Sequence, residues 1–354
     1  MKVLVTGANG LLGSNLVRAL IADGHDVRAL VRATADLRGL RGVAVEFVQG
    51  DVRDAAALQK AAEGCQWLFH GAAVFSYWGY SRGEMYETAR EGAKNAVDAA
   101  KAAGVTRLLV TSSTSTLGAD TSRRLRGEEH APDLSSFPDY FQTKALQERT
   151  VLQRAQEIGL DAVVAMPSLF VGPHDYKPSA STPSILAYIT APMSITFGGG
   201  FNLIHAADVA RGHILIMERG ESHQRYVLAD DNVTWTQFHE MLSQLCGLPP
   251  PRWSMSPAVA WMGAALMELG ASLTKRPPLA TRELTKQSRN YFWNDAGKAR
   301  ALGFSPRGMR ANLIDTLGWL LQSEHLSAKQ KRRLAPVEEV LAASAAYAEA
   351  AAAP

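Results

Sequence analysis

The chain has 354 residues, 47% of them hydrophobic and 20% charged, a globular balance that excludes disordered, collagen-like and coiled-coil classes. That length exceeds the usual size of one compact core, so a nucleotide-binding domain with a smaller attached domain is the expectation. The formal net charge is only +3, and basic residues bunch only at Lys329, Lys331, Arg332 and Arg333, which gives nucleic acid no footing as a partner.

Lys2–Thr6 reads as a short strand, followed by a glycine loop and then by Leu11–Ala22, whose apolar residues recur at helical spacing. The opening residues show none of the features of a secretory signal, so the cytoplasm is the expected compartment. Strand-like runs return at Asp26–Val31, 44–48, Trp67–His70, Arg107–Thr111 and 161–170, with helical stretches between them. Such alternation predicts an α/β fold with a Rossmann-type, doubly wound parallel sheet, and near-continuous apolar runs such as Leu108-Leu109-Val110 suit strands covered on both faces.

Beyond Gly172 the texture turns to proline-rich and glycine-rich loops, the mark of a smaller, mostly helical substrate domain. The short strands expected at 203–205 and 226–228 return to the main sheet in this reading. The dinucleotide-binding domain then comprises 1–172 with 202–230, the substrate domain 173–201 with 231–330, and an Ala-rich tail 331–354. Thr234 followed by Gln237 forms a capping box that opens a helix toward Cys246. The apolar stretch 257–273, interrupted by Glu268 and Gly270, is too short to span a bilayer comfortably and reads as a buried or lid helix. Cys65 and Cys246 lack metal-ligand spacing, as do the nine histidines, so two buried thiols and no metal site are expected.

The loop Thr6-Gly7-Ala8-Asn9-Gly10-Leu11-Leu12-Gly13 lies directly between the first strand and the first helix, where bare amides and the helix dipole attract a pyrophosphate. Its glycines are spaced three apart, one residue off the usual fingerprint. Asp51-Val52 and Gly71-Ala72-Ala73 follow the third and fourth strands at the sheet's carboxyl edge, where Asp51 is placed to accept from an adenine amino group. The second strand ends in Val31-Arg32-Ala33-Thr34 with no nearby carboxylate for ribose hydroxyls. Arg32 suits a 2′-phosphate instead, so NADP(H) is the expected cofactor.

Tyr140 and Lys144 are four apart in a helical stretch and share one face. An adjacent ammonium and an oxidised nicotinamide favour the phenolate, which fits Tyr140 for acid–base work. Ser113, in Thr111-Ser112-Ser113, ends the fifth strand within reach of a substrate oxygen.

In this ordered set the sequence resembles the extended short-chain dehydrogenase/reductase family, over roughly 1–321. The motifs that carry the resemblance are Thr6 to Gly13, Gly50-Asp51-Val52, Thr111 to Ser113, Tyr140-Phe-Gln-Thr-Lys144, Pro167 to Pro173 and His205 to Asp208. The resemblance implies Ser113, Tyr140 and Lys144 as a catalytic triad, Pro167, Ser168 and Leu169 as neighbours of the nicotinamide, and a homodimer as a frequent assembly. Within the family the chain is similar to the dihydroflavonol 4-reductase-like branch, which includes proteins named hopanoid-associated sugar epimerases. Sugar-nucleotide members commonly carry a tyrosine where this chain has Leu117, and an arginine where it has Asn202-Leu203.

Phe75, Tyr77 and Trp78 follow the fourth strand, and Met193 and Phe197 lie near the start of the second domain. These five, with Ser113 and Tyr140, form the expected pocket for a flat or apolar carbonyl compound. The leading expectation is NADPH-dependent reduction of a ketone or aldehyde. A nucleotide-sugar epimerase or dehydratase that returns its hydride, a 3β-hydroxysteroid dehydrogenase-like enzyme and a non-catalytic NADP(H) sensor stay open as alternatives. His205 reads as a structural hydrogen-bonding residue.

Overall fold

The computed structural model describes residues 1–73, 81–176, 181–190, 195–274, 278 and 280–352. Phe75, Tyr77, Trp78 and Met193 therefore lie outside the described residues. The first half runs β1 (Lys2–Thr6), α1 (Leu11–Ala22), β2 (Asp26–Val31), β3 (Glu46–Gln49), α2 (Ala55–Ala62), β4 (Trp67–His70), α3 (Arg82–Ala102), β5 (Arg107–Thr111), α4 (Asp139–Ile158) and β6 (Ala162–Pro167). The second continues with β7 (Leu169–Val171), α5 (Thr182–Thr190), β8 (Ile195–Thr196), β9 (Gly200–His205), α6 (Ala206–Arg219), β10 (Arg225–Leu228) and β11 (Asp231–Thr234). It ends with α7 (Trp235–Cys246), β12 (Trp253–Ser254), α8 (Pro257–Thr274), α9 (Arg282–Lys286), β13 (Tyr291–Phe292), α10 (Gly297–Ala301), α11 (Met309–Gln322), α12 (Ala328–Lys331) and α13 (Glu338–Ala352).

Seven strands form the main sheet in the order β3-β2-β1-β4-β5-β6-β10, every pair parallel. Successive side chains point to opposite faces of a strand, so Leu4, Leu68, Leu108 and Val164 enter one core with residues of α2 and α3. Val3, Val5, Leu109 and Val163 enter the other, beneath α1 and α6. This is the expected Rossmann-like, doubly wound sheet. Strand order reverses between β1 and β4, which opens a crevice at their carboxyl ends.

Two strand expectations change. The run 161–170 splits at Ser168, whose N–H donates to Leu228 O at 3.0 Å and whose hydroxyl donates to Asn202 Oδ1 at 2.6 Å. Those two bonds turn the chain from β6 in the main sheet into β7 in a second sheet, where β9 pairs with β7, β11 and β13. The strand around 203–205 therefore leaves the main sheet, whereas 226–228 joins it as β10 beside β6. A third core of Val171, Ile185, Leu203, Phe238, Leu317 and neighbours fills this second body.

The capping box forms as expected, with Thr234 and Gln237 exchanging side-chain to backbone bonds at the start of α7, and both cysteines are buried. The tail is helical and docked. Val340 is buried, Tyr347 donates to Asp315 Oδ1 at 2.8 Å, and a Cβ on Gly318 of α11 would come within 2.7 Å of Ala343 Cβ. Of the two readings of 257–273, buried helix or lid helix, the buried one does not hold. Only Ala260, Ala264 and Ala271 of α8 are buried, and its large apolar residues face outward. No helix among the described residues is long and apolar enough to cross a membrane.

Candidate active site

The crevice is built first from the loop after β1. Gly7 adopts φ +72°, and a Cβ there would come within 2.8 Å of the Gly71 backbone. A Cβ on Gly13 would overlap the Gly7 carbonyl and approach Ala8 Cα to 2.6 Å. Glycine is thus required at both positions by backbone proximity. Gly10 caps α1 without any side-chain bond to the helix, and the first turn holds no acidic residue. Amides pointing into the crevice with the positive helix end behind them suit a dinucleotide pyrophosphate. Thr6 fixes the far wall, because its Oγ1 accepts from Ala72 N at 3.2 Å and lies 3.1 Å from His70 Nδ1.

Register places the other groups at the same edge, since Thr6 aligns with His70, His70 with Val110, and Thr111 with Ala165. Ser113 follows β5 in extended backbone, with its Oγ accepting from Ser115 N at 3.1 Å. Tyr140 and Lys144 come from the first turns of α4 and are both buried. Burial pushes the Tyr140 phenol up to about 12, opposed by a hydrogen bond with the Ser113 side chain. Burial also brings the Lys144 ammonium down to about 8, opposed by the negative charge of Glu148. Lys144 Nζ donates to Thr111 O at 2.7 Å and to Gln147 Oε1 at 2.9 Å. The sequence reading expected Lys144 and an oxidised nicotinamide to favour the phenolate. In the protein alone burial is the larger influence on Tyr140, and it favours the neutral phenol.

Gln147 and Glu148 escaped the sequence reading. Gln147 Nε2 donates to Ala72 O at 3.1 Å, which links α4 to the loop after β4. Glu148 is buried, accepts from the Ser112 hydroxyl at 2.5 Å and pairs with Arg225 at 2.8 Å. Ser112, expected beside the cofactor, thus has its side chain committed to Glu148. The available signal was spacing, because Tyr140, Lys144, Gln147 and Glu148 fall on one helical face. His70 and His213 are held neutral by burial and by the Lys144 charge, down to about 3 and about 4.

Arg32 is exposed just past β2, at the carboxyl edge of the sheet. The nearest following carboxylate, Asp36, is already engaged by Arg38 at 2.6 Å and is held down to about 2 by that hydrogen bonding. Asp51 is likewise bound by Arg53, through Nε and Nη2 at 3.0 Å each. Val52 is buried against α3 at Gly92. Asn9 reaches back to Asp36 O at 3.4 Å.

Around Tyr140 the walls are apolar. Phe137 stacks on Phe141 at 5.3 Å, Phe141 meets Tyr140 edge-on at 6.2 Å and Phe292 at 5.9 Å, and Met85 completes the cluster. Of the expected substrate residues Phe197 is described, and it packs against Trp235 at 5.9 Å and His239 at 6.1 Å. Leu117 is in the core. Asn202 is buried, with its amide donating to Asp230 O at 3.1 Å and Asn232 Oδ1 at 3.0 Å. His205 caps α6, its Nδ1 accepting from Ala207 N at 3.1 Å while Nε2 lies 2.8 Å from Asp315.

Comparison with known proteins agrees with this arrangement. The chain is 32% identical over 331 residues to sterol demethylase protein B of Methylococcus capsulatus (strain ATCC 33009 / NCIMB 11132 / Bath), covering 90% of this chain and 98% of that one. It is 29% identical over 327 residues to the 4-hydroxy-2-methyl-3-oxo-4-farnesyl-3,4-dihydroquinoline-1-oxide ketoreductase of Stigmatella aurantiaca, covering 90% and 96%. Its fold matches the crystal structure of gox2253 with a TM-score of 0.80 at 32% identity, over 92% of this chain and 99% of that one. Residues 3–229 match the model of the NAD dependent epimerase/dehydratase family. With its glycine loop at a parallel-sheet switch point and its Ser113 beside the buried Tyr140 and Lys144, the chain belongs to that family of nicotinamide-dinucleotide enzymes.

Proposed function

We propose that this enzyme reduces a ketone or aldehyde on an apolar or aromatic small molecule, with NADPH as the hydride source and Tyr140 as the proton donor. The observation that carries this reading is the buried Tyr140 hydroxyl, hydrogen-bonded with Ser113 and set in an aromatic cluster. The dinucleotide, when bound, supplies the hydride to the carbonyl carbon. Ser113 hydrogen-bonds the carbonyl oxygen and steadies its growing negative charge. Tyr140 gives its proton to that oxygen, so the product is a neutral alcohol. The Lys144 charge then offsets the charge left on the Tyr140 oxygen.

Leu117 and Asn202-Leu203 supply no cation for a diphosphate, and the polar atoms of Asn202 are taken by Ser168, Asp230 and Asn232. Two relatives carry sterol or farnesyl-bearing compounds in their names, which supports an apolar substrate. A panel of aromatic, isoprenoid and aliphatic carbonyl compounds is expected to drive NADPH oxidation, while UDP-hexoses do not react. Efficient interconversion of a UDP-hexose without net NADPH consumption would replace this reading with the epimerase.

The preference for NADPH over NADH is expected to be about tenfold, since a charge-assisted bond to phosphate is worth roughly 1.5–3 kcal/mol before solvent exposure erodes it. It rests on exposed Arg32 and on the commitment of Asp36 to Arg38. Arg32→Asp should repel the 2′-phosphate, offer an acceptor to ribose hydroxyls and shift selectivity toward NADH. kcat/KM for both cofactors in both proteins checks this, and an unchanged ratio would show that Arg32 only faces solvent.

A further inference from the structure

Helix α8 is built inside out. At 100° per residue Ala260, Ala264 and Ala271 form a narrow stripe that meets the protein body, and all three are buried. On the opposite side Val259, Met262, Leu266, Leu269 and Leu273 form a continuous apolar stripe that is 51–79% exposed. Trp261 and Met267 flank it on either side, and Trp253, 72% exposed, precedes the helix in the chain. The outward arc from Trp261 round to Met267 covers about two-thirds of the helix circumference. Small alanines inward and large aliphatics outward are the reverse of a helix that serves a core.

Glu268 is the sole charged residue of α8; it pairs with Arg282 of α9 at 2.6 Å, and the Arg282 guanidinium lies 5.7 Å over the Trp261 ring at the edge of the arc. Among the described residues that flank α8 in sequence, the exposed charges are mainly positive, Arg252, Arg282, Lys286 and Arg289 against Glu283. Exposed apolar surface of this size marks an interaction face. A two-helix seam would use one narrow stripe and leave its flanks polar, whereas this arc is broad and has Trp261 at its edge. Its rim of cations also repels the same rim on a second copy and attracts anionic headgroups.

We propose that α8 with Trp253 is a lipid-docking surface, which lies in the plane of an anionic membrane interface with its apolar arc in the acyl boundary and Arg252, Lys286 and Arg289 at the headgroups. The helix does not meet the requirement for a span, and an interfacial helix needs none. The location gives the docking a purpose. Glu283 of α9 feels the charge of Asp139, the residue before Tyr140, and Phe292 of β13 joins the aromatic cluster. Docking here brings the site beside the bilayer, so that an apolar carbonyl compound dissolved in lipid enters without crossing water. That last step rests on the substrate reading above; the docking itself does not.

The test is flotation of the full chain with phosphatidylcholine vesicles, with and without phosphatidylglycerol, alongside the double variant Leu266→Glu/Leu273→Glu. Both positions are open to solvent, so the variant keeps its melting temperature and its dinucleotide binding. The wild type is expected to float with the anionic vesicles, less with the neutral ones, and the variant to bind at least about tenfold more weakly. Wild-type protein that stays at the bottom of the gradient with both vesicles overturns the proposal. So does equal flotation of the two proteins. A concentration-dependent dimer that the double variant abolishes, seen without vesicle binding, assigns the face to a second copy and overturns it as well. NADPH turnover of a water-soluble ketone in the unchanged variant separates any failure here from failure of the reductase reading.

Discussion

Tyr140→Phe is expected to fold and to bind dinucleotide like the wild type, yet to lose about a hundred- to ten-thousand-fold in turnover, the usual contribution of a positioned general acid. The substitution removes one hydroxyl and its bond to Ser113, while the ring keeps its place between Met85 and Phe141. Loss of a single buried hydrogen bond costs on the order of 1 kcal/mol, too little to unfold a domain of this size. The measurement is kcat under conditions where chemistry limits turnover, together with a melting curve and a dinucleotide titration. Retention of more than about half the wild-type rate would remove Tyr140 from the role of proton donor.

Gly13→Ala is the second large effect. Its added methyl would meet only backbone, the Gly7 carbonyl and Ala8 Cα and C, so no side chain can rotate away. Overpacking of this kind costs roughly 1–3 kcal/mol and displaces the loop. The variant should melt several degrees lower and lose dinucleotide binding. Gly10→Ala provides the contrast, because a Cβ there comes only to 3.5 Å of Gly7 O, an ordinary contact. Its melting temperature should stay near wild type. Equal destabilisation by the two substitutions would mean that loop glycines matter for chain entropy and not for the close approach of α1 to β1.

The main sheet was readable because its strands are continuous apolar runs bounded by turn residues, and because the glycine loop marks where β1 meets α1. Tyr140 and Lys144 stood out by their spacing along one helix, as Gln147 and Glu148 could have. All four lie on one face, but a polar residue at a buried helical position looks in sequence like a solvated one. What sequence periodicity does not record is which partner a strand chooses. β9 alternates and closes like a main-sheet strand, and its place in the second sheet is decided by Asn202, which spends its amide on Asp230 and Asn232 and its carbonyl on Ser168 and Asp230 N. Helix α8 misled for a related reason. Its apolar content was plain, but the direction of its large side chains depends on three alanines whose role as the inward stripe appears only with the fold in place.

The crossing at Ser168 has a consequence for how such an enzyme can change over generations. One residue of backbone joins the sheet that carries the dinucleotide loop to the sheet that carries β9, and it is pinned on both sides, to Leu228 and to Asn202. A pivot so short and so doubly anchored leaves no slack, and a shift in either sheet is felt at once by the other. Substitutions that move β7 or β9 are therefore carried through the joint to the carboxyl edge of the main sheet, and those that leave both strands in place are the ones the joint tolerates.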